Sequence, residues 1–195
     1  MVDSARVAIL REVLATTGWV QRSRDFARSL RTSTSEPGGL LLVGTPHDEP
    51  WHLAAHLDDE ARWNDLPVLS PTLVRWSPPE NAPPHLCVGL ERIEAVRRGE
   101  TLFVVTPDTA PVPLLERVSD ARRIGATVLA LDAGDGDLEG LAHEAITVTP
   151  GDDVVSFDAV QHLISVAAGE SSGPARRGLR DRLARLLDAV SGPQV

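Results

Sequence analysis

Residues 99–133 read GETLFVVTPDTAPVPLLERVSDARRIGATVLALDA, and this stretch decides the fold. The run TLFVVT, 101–106, is apolar without alternation. A strand that buries only one face alternates apolar and polar residues, whereas one covered on both faces does not, so a continuous run belongs inside a parallel sheet. A second such run, TVLALD, follows at 127–132, and a helical pattern at 112–124 lies between the two. Strand, helix and strand in that order form a βαβ unit.

Working outward, LLLVG at 40–44 and the shorter AITVT at 145–149 have the same character. Helices are expected at 137–143 and 153–168. A fifth strand is expected near 68–76, where Pro67 and Pro71 place it at an edge or shorten it. SPPENAPP, 77–84, is a loop, because proline continues neither a helix nor a ladder. Residues 4–31 read as one long helix, or two with a break near 16–18, opening on Ser4 as a cap. The expected fold is α/β, a three-layer sandwich with a central, mostly parallel five-stranded sheet flanked by helices. Residues 1–170 form that domain, 171–178 a linker, and 179–195 an amphipathic basic helix and tail. In the tail, Leu179, Leu183, Leu186 and Val190 make an apolar stripe beside Arg176, Arg177, Arg180, Arg182 and Arg185. It reads as a solvated helix docked on its own domain or a sister subunit, with a basic recognition tail as the alternative.

Composition bounds the partners. The chain has 195 residues, 42% hydrophobic and 24% charged, which suits one folded domain. A net charge of −9 argues against a general affinity for nucleic acid. No apolar run is long enough for a membrane helix and the N-terminus lacks a signal-peptide pattern, so a cytoplasmic protein is expected. One cysteine, Cys87, excludes an internal disulfide and a zinc thiolate site, and is expected as a small core residue. The tryptophans Trp19, Trp51, Trp63 and Trp76 are assigned to packing.

Ligands of open parallel sheets bind beyond the carboxyl ends of the strands, so the loops there carry the functional question. The first, from Gly44 and Thr45 to Pro50, holds two prolines with Asp48 and Glu49, where a phosphate cradle would want glycines and hydroxyls. In the helix pattern that follows, His52 and His56 lie four apart on one face, the spacing that lets two imidazoles bind one metal ion. His162 completes a set of three if the two helices meet. The second loop, 106–113, presents Thr106, Asp108 and Thr109, with Asp108 expected to anchor the loop and Thr109 to cap the helix. The third, Asp132 followed by AGDGD, has the composition of a local turn, though an acid at a strand end can also hold a ribose or a cation. His85 and His143 are expected at the surface or in caps. No GxGxxG, Walker motif or nucleophile elbow is present, which disfavours a dinucleotide, nucleotide or serine-hydrolase reading.

The order and spacing of these parts resemble the sugar isomerase (SIS) domain, and within it the phosphoheptose isomerase branch, over roughly residues 4–170. In that family the segment matching 99–133 is a buried strand, a Ser/Thr-rich loop, a helix ending in a glycine turn, and a strand. The resemblance implies ligand contacts from Gly44, Thr45, Thr106, Asp108 and Thr109. It also implies zinc ligands at His52 and His162, with His56 in place of the family's glutamate; the family's glutamine ligand falls on Val154. The two loops depart from the family's phosphate-gripping pattern, since prolines and carboxylates replace most of its donors. Two functional expectations follow. One is an SIS-like protein that has lost ordinary sugar-phosphate catalysis and serves binding, regulation or assembly, as a homodimer or homotetramer. The other is a metal-assisted sugar-phosphate isomerase or lyase in which zinc polarises a carbonyl and Asp48 or Glu49 moves a proton.

Overall fold

The computed structural model describes residues 17–78, 81, 83, 86–149, 151 and 155–170. The expected linker at 171–178, the basic helix at 179–195, the chain before residue 17, His85 and Val154 lie outside these residues. In chain order the elements are α1 (Trp19–Ser33), β1 (Leu40–Val43), α2 (Trp51–Trp63), a 3-10 turn (Pro67–Leu69), β2 (Thr72–Val74), α3 (Glu91–Glu94), β3 (Thr101–Thr106), α4 (Val112–Ile124), β4 (Thr127–Asp132), α5 (Gly136–Leu141), β5 (Glu144–Thr147) and α6 (Phe157–Ala168).

The five strands form one sheet in the order β2-β1-β3-β4-β5, and every pairing is parallel. The edge position expected for the proline-flanked strand is occupied by β2. Successive side chains of a strand face opposite ways, and the core divides accordingly. Leu40, Leu42, Phe103, Val105, Leu129 and Leu131 pack with Phe26 and Leu30 of α1, Leu53 and Leu57 of α2, and Val160 and Ile164 of α6. Leu41, Val43, Leu102, Val104, Val128 and Ala130 pack instead with Ile93 of α3, Leu114 and Val118 of α4, and Leu138 of α5. Three helices thus cover each face, which is why the strands need no polar positions.

Local chemistry accounts for the ends. Gly18, in the left-handed region at φ 74°, precedes the first turn of α1. Gly125 at φ 98° ends α4 in the same way. The Ser156 hydroxyl accepts the Ala159 N–H and caps α6. At the far end of α6, Arg31 of α1 donates to the carbonyls of Ala167 and Ala168 at 2.6 and 3.1 Å, satisfying groups a helix C-terminus leaves orphaned.

Two packing expectations need correction. Cys87 is half-buried, not a core residue. Trp19 is buried, but Trp51 and Trp63 leave 40% and 69% of their surface exposed, because they sit at the two ends of α2 and off its core-facing stripe. The short helix α3, beyond the loop read at 77–84, was not legible because its single turn carries one apolar anchor, Ile93. Among the described residues no helix is long and apolar enough to cross a membrane.

Candidate metal centre and ligand crevice

From β1 the chain moves outward to β2 on one side and then to β3, β4 and β5 on the other. The direction reverses between β1 and β3, and in doubly wound sheets the crevice beyond the carboxyl ends at such a point takes the ligand. The loops flanking it are those after Val43 and Thr106, and the helices that follow or return there on one face are α2 and α6.

His52 and His56 lie one turn apart on α2 and their rings stack in parallel, centroids 5.2 Å apart at 1°. His162 comes from α6, which packs directly on α2, and stands edge-on to both rings at 5.5 and 4.5 Å. One ligand nitrogen from each of the three falls within 4.8 Å of the others. His52 is exposed and the other two are half-buried. Nε2 of His56 and Nδ1 of His162 are buried without a hydrogen-bond partner, a condition that native polar atoms rarely tolerate. Burial and the neighbouring imidazoles lower the His162 pKa to about 4, and burial followed by His52 lowers that of His56. Both imidazoles are therefore neutral at pH 7, the form that binds a metal. Three imidazoles are a donor set that zinc accepts and that carbonic-anhydrase-type sites use. The residues fit the ion.

The loop after β1 closes on itself. The Thr45 N–H donates to the Asp48 carbonyl at 3.0 Å, and the Asp48 N–H donates to the Thr45 hydroxyl at 3.1 Å. Gly44 is required by close approach, since a Cβ there would lie 2.7 Å from the Pro50 ring and collide with the Asp48 carbonyl oxygen. Pro46 and Pro50 have no N–H to offer. Glu49 accepts from the Trp51 indole at 3.0 Å, Arg75 Nε at 2.9 Å and the Trp76 N–H at 3.2 Å. It is a tie between this loop and the end of β2, with its lone pairs committed. Asp48 is exposed, and its pKa is raised by desolvation and by the charges of Asp158 and Asp108. Asp158 lies one turn before His162 on α6, so Asp48 feels a negative charge from that helix as well as from the second loop.

The loop after β3 is equally short of donors. Pro107 and Pro111 have no N–H, and the Ala110 N–H is taken by Asp135 Oδ2 at 2.7 Å. The loop anchor expected at Asp108 is thus Asp135, which also caps α5 through the N–H groups of Asp137 and Leu138. No side chain caps α4; Thr109 and Asp108 are both exposed. Thr106 is wholly buried and its hydroxyl has no partner. Beside it in the ladder, Asp132 is also wholly buried. Its Oδ1 accepts from the N–H groups of Gly134 and Asp135 at 2.7 and 3.2 Å, while Oδ2 has no partner.

The structure therefore brings the three histidines together, and leaves Asp48 and Asp108 exposed in the loops after β1 and β3. Gly44, Thr45 and Glu49 serve the closure of the first loop. His143 accepts the Val128 N–H on Nδ1 at 2.9 Å, a capping part at the start of β4. The sequence offers Asp132 as part of a local turn or as a holder of a ribose or a cation; that its Oδ2 has no partner leaves no mark in the sequence.

Fold and site together define a doubly wound α/β protein with a three-histidine cluster beside its switch-point crevice. No family model and no curated protein sequence matches the chain. Among solved structures it is similar to a provisionally assigned phosphosugar isomerase from Silicibacter pomeroyi DSS-3, with TM-score 0.57 and 15% identity over 95% of this chain and 53% of that one. It is also similar to a provisionally assigned sugar-binding protein from Salmonella typhimurium LT2, with TM-score 0.56 and 14% identity over 94% of this chain and 51% of that one. The chain spans about half the length of each. At these identities the likeness establishes the fold alone, which is that of phosphosugar isomerase-like structures.

Proposed function

We propose that this chain is a zinc-holding protein on the sugar isomerase fold that no longer carries out ordinary sugar-phosphate isomerisation. One observation carries the reading: His52, His56 and His162 converge within 4.8 Å, with the inner nitrogens of two of them buried and unpartnered. The resemblance to phosphoheptose isomerases supports it, since it puts zinc ligands at His52 and His162. The loss of sugar-phosphate chemistry is supported by the two loops, where Pro46, Pro50, Pro107 and Pro111 have no N–H, where the N–H groups of Thr45, Asp48 and Ala110 are consumed internally, and whose carboxylates repel an anion.

A second reading, a metal-assisted isomerase or lyase, is favoured by the position of Asp48. Zinc held by the three histidines would polarise a carbonyl oxygen. Asp48, with its pKa raised, would accept a proton from the adjacent carbon and return it, whereas Glu49 is held by Arg75, Trp51 and Trp76. The protein is further read as a homo-oligomer, which rests on the resemblance to the sugar isomerase family. Light scattering on the eluting peak of the full chain tests that point, and a monomer would remove it.

Elemental analysis of the purified chain is expected to return stoichiometric zinc, lost in His56→Ala and His162→Ala with the far-UV spectrum unchanged. A fructose 6-phosphate titration is expected to leave the melting temperature unmoved. Absence of zinc overturns the metal assignment, and a clear thermal shift with the phosphosugar overturns the loss of its chemistry.

A further inference from the structure

Helices α2 and α6 meet along a seam whose two halves differ. On α2, His52, His56, Asp59 and Trp63 follow at spacings of four, three and four, and so share one face. On α6, His162, Val166 and Gly169 do the same. The histidines meet toward the helix N-termini. The other half ends on Gly169, so close to α2 that a Cβ there would collide with the Glu60 carboxylate and lie 2.8 Å from the Asn64 amide. Trp63 stands at this end with 69% of its surface exposed. Val166 is the converse. It lies off the stripe that Val160, Leu163, Ile164 and Ala167 turn into the core, yet it is only 6% exposed. A helix buried on every side, as residues 163–168 are, has chain lying over it as well as beside it.

The described chain leaves from this same end, at Glu170. Residues 171–195 lie outside the described residues, and their sequence complements the seam. Leu179, Leu183, Leu186 and Val190 are set among five arginines and two aspartates. Residues 58–65, at the end of α2, hold four acids and one arginine, and that arginine, Arg62, is already paired with Asp58 and Asp59. Residues 171–178 reach about 26 Å when extended, and residues 179–190 span about 18 Å as a helix, the length of α6. We propose that residues 179–190 dock back on the outer seam between α2 and α6, setting their apolar stripe over Trp63 and Val166 and their arginines toward Asp58, Asp59 and Asp65.

Tether and charge select this segment over the other occupants. It begins one residue beyond Glu170, so the short connection keeps it at high effective concentration over the seam. The chain before residue 17 joins α1 at its N-terminal end, whereas α1 brings its opposite end to this part of α6, where Arg31 donates to the carbonyls of Ala167 and Ala168. That chain also carries two acids and two arginines, with no excess charge to match the acids of α2. A second copy docking through the same seam would set one acidic surface on another, and like charges repel. The inference does not depend on zinc.

Nitroxide labelling of the full chain tests it. In a Cys87→Ser background, a label on Ala184→Cys, beside the apolar stripe and not part of it, is expected to broaden away the indole N–H signal of Trp63. The signal of Trp76, which packs on the opposite face of the sheet, is expected to stay. Trp63→Phe assigns the peak by its loss. Mixing isotope-labelled chain that lacks the nitroxide with nitroxide-bearing chain that lacks the isotope is expected to broaden neither. Trp63→Ser and Leu183→Ser are each expected to lower the melting temperature by about 2–4 °C. The double variant is expected to lose no more than the larger single loss, because the two side chains share one contact. Broadening of both indoles alike or of neither, losses that add, or no loss in Trp63→Ser overturns the inference. Broadening of Trp63 in the mixed sample overturns it too, and gives the seam to a second copy.

Discussion

Single residues carry most of the functional content, and Asp132 is the most telling. Burial pushes its carboxyl above the ordinary range, outweighing the N–H groups of Gly134 and Asp135, with the charges of Glu139 and Asp135 adding to the rise. A raised folded pKa means that the native state holds the proton more tightly than the unfolded chain does. This group therefore favours the fold below the ordinary carboxylate range and loses that contribution as pH rises through its folded value. Asp132→Asn should accordingly exceed the wild type by about 1 kcal/mol at neutral pH, and the difference should vanish as pH approaches about 4. Urea denaturation at the two pH values measures it, and a variant weaker at pH 7 would contradict the account. Gly44 is constrained by the opposite effect, crowding. Its Cα faces the Asp48 carbonyl and the Pro50 ring, so Gly44→Ala should cost about 1–3 kcal/mol, read by the same denaturation.

At the scale of elements, the site depends on α2 and α6 holding their registers against each other. Arg31 reaches from α1 to the terminal carbonyls of α6, and α6 carries His162. Arg31→Ala should destabilise the fold by about 1–2 kcal/mol and weaken zinc binding several-fold, whereas Arg28→Ala, on the exposed side of the same helix, should change neither. Isothermal titration with zinc on both variants separates the outcomes. The tie formed by Glu49, Arg75 and Trp51 does similar work at the other end of α2. The Arg75 guanidinium lies 4.5 Å over the Trp51 ring, which explains how a partly exposed tryptophan is held in place. Most elements were legible because each is a local pattern: an apolar run bounded by glycine for β1, β3 and β4, and a proline-flanked strand for β2. The α3 turn was not, since four residues carry no period.

For the whole molecule, zinc held as proposed by the three histidines would join two helices distant in sequence and should stabilise the fold by mass action. At a free concentration of about one hundred times its dissociation constant, the gain is about 2.7 kcal/mol, a melting shift of roughly 5–10 °C for a chain of this size. EDTA should reverse the shift, and His162→Ala should show none. The sequence by itself determined the elements and the parallel sheet, because unbroken apolar runs alternating with helical periods report burial on both faces, a property of each segment alone. Only the tertiary structure decided that His162 meets His52 and His56, that Arg75 occupies Glu49, and that Thr106 and Asp132 lie side by side, each with one side-chain oxygen unpartnered. Those facts depend on strand order and on which helix packs on which, and hydrophobic periodicity encodes neither.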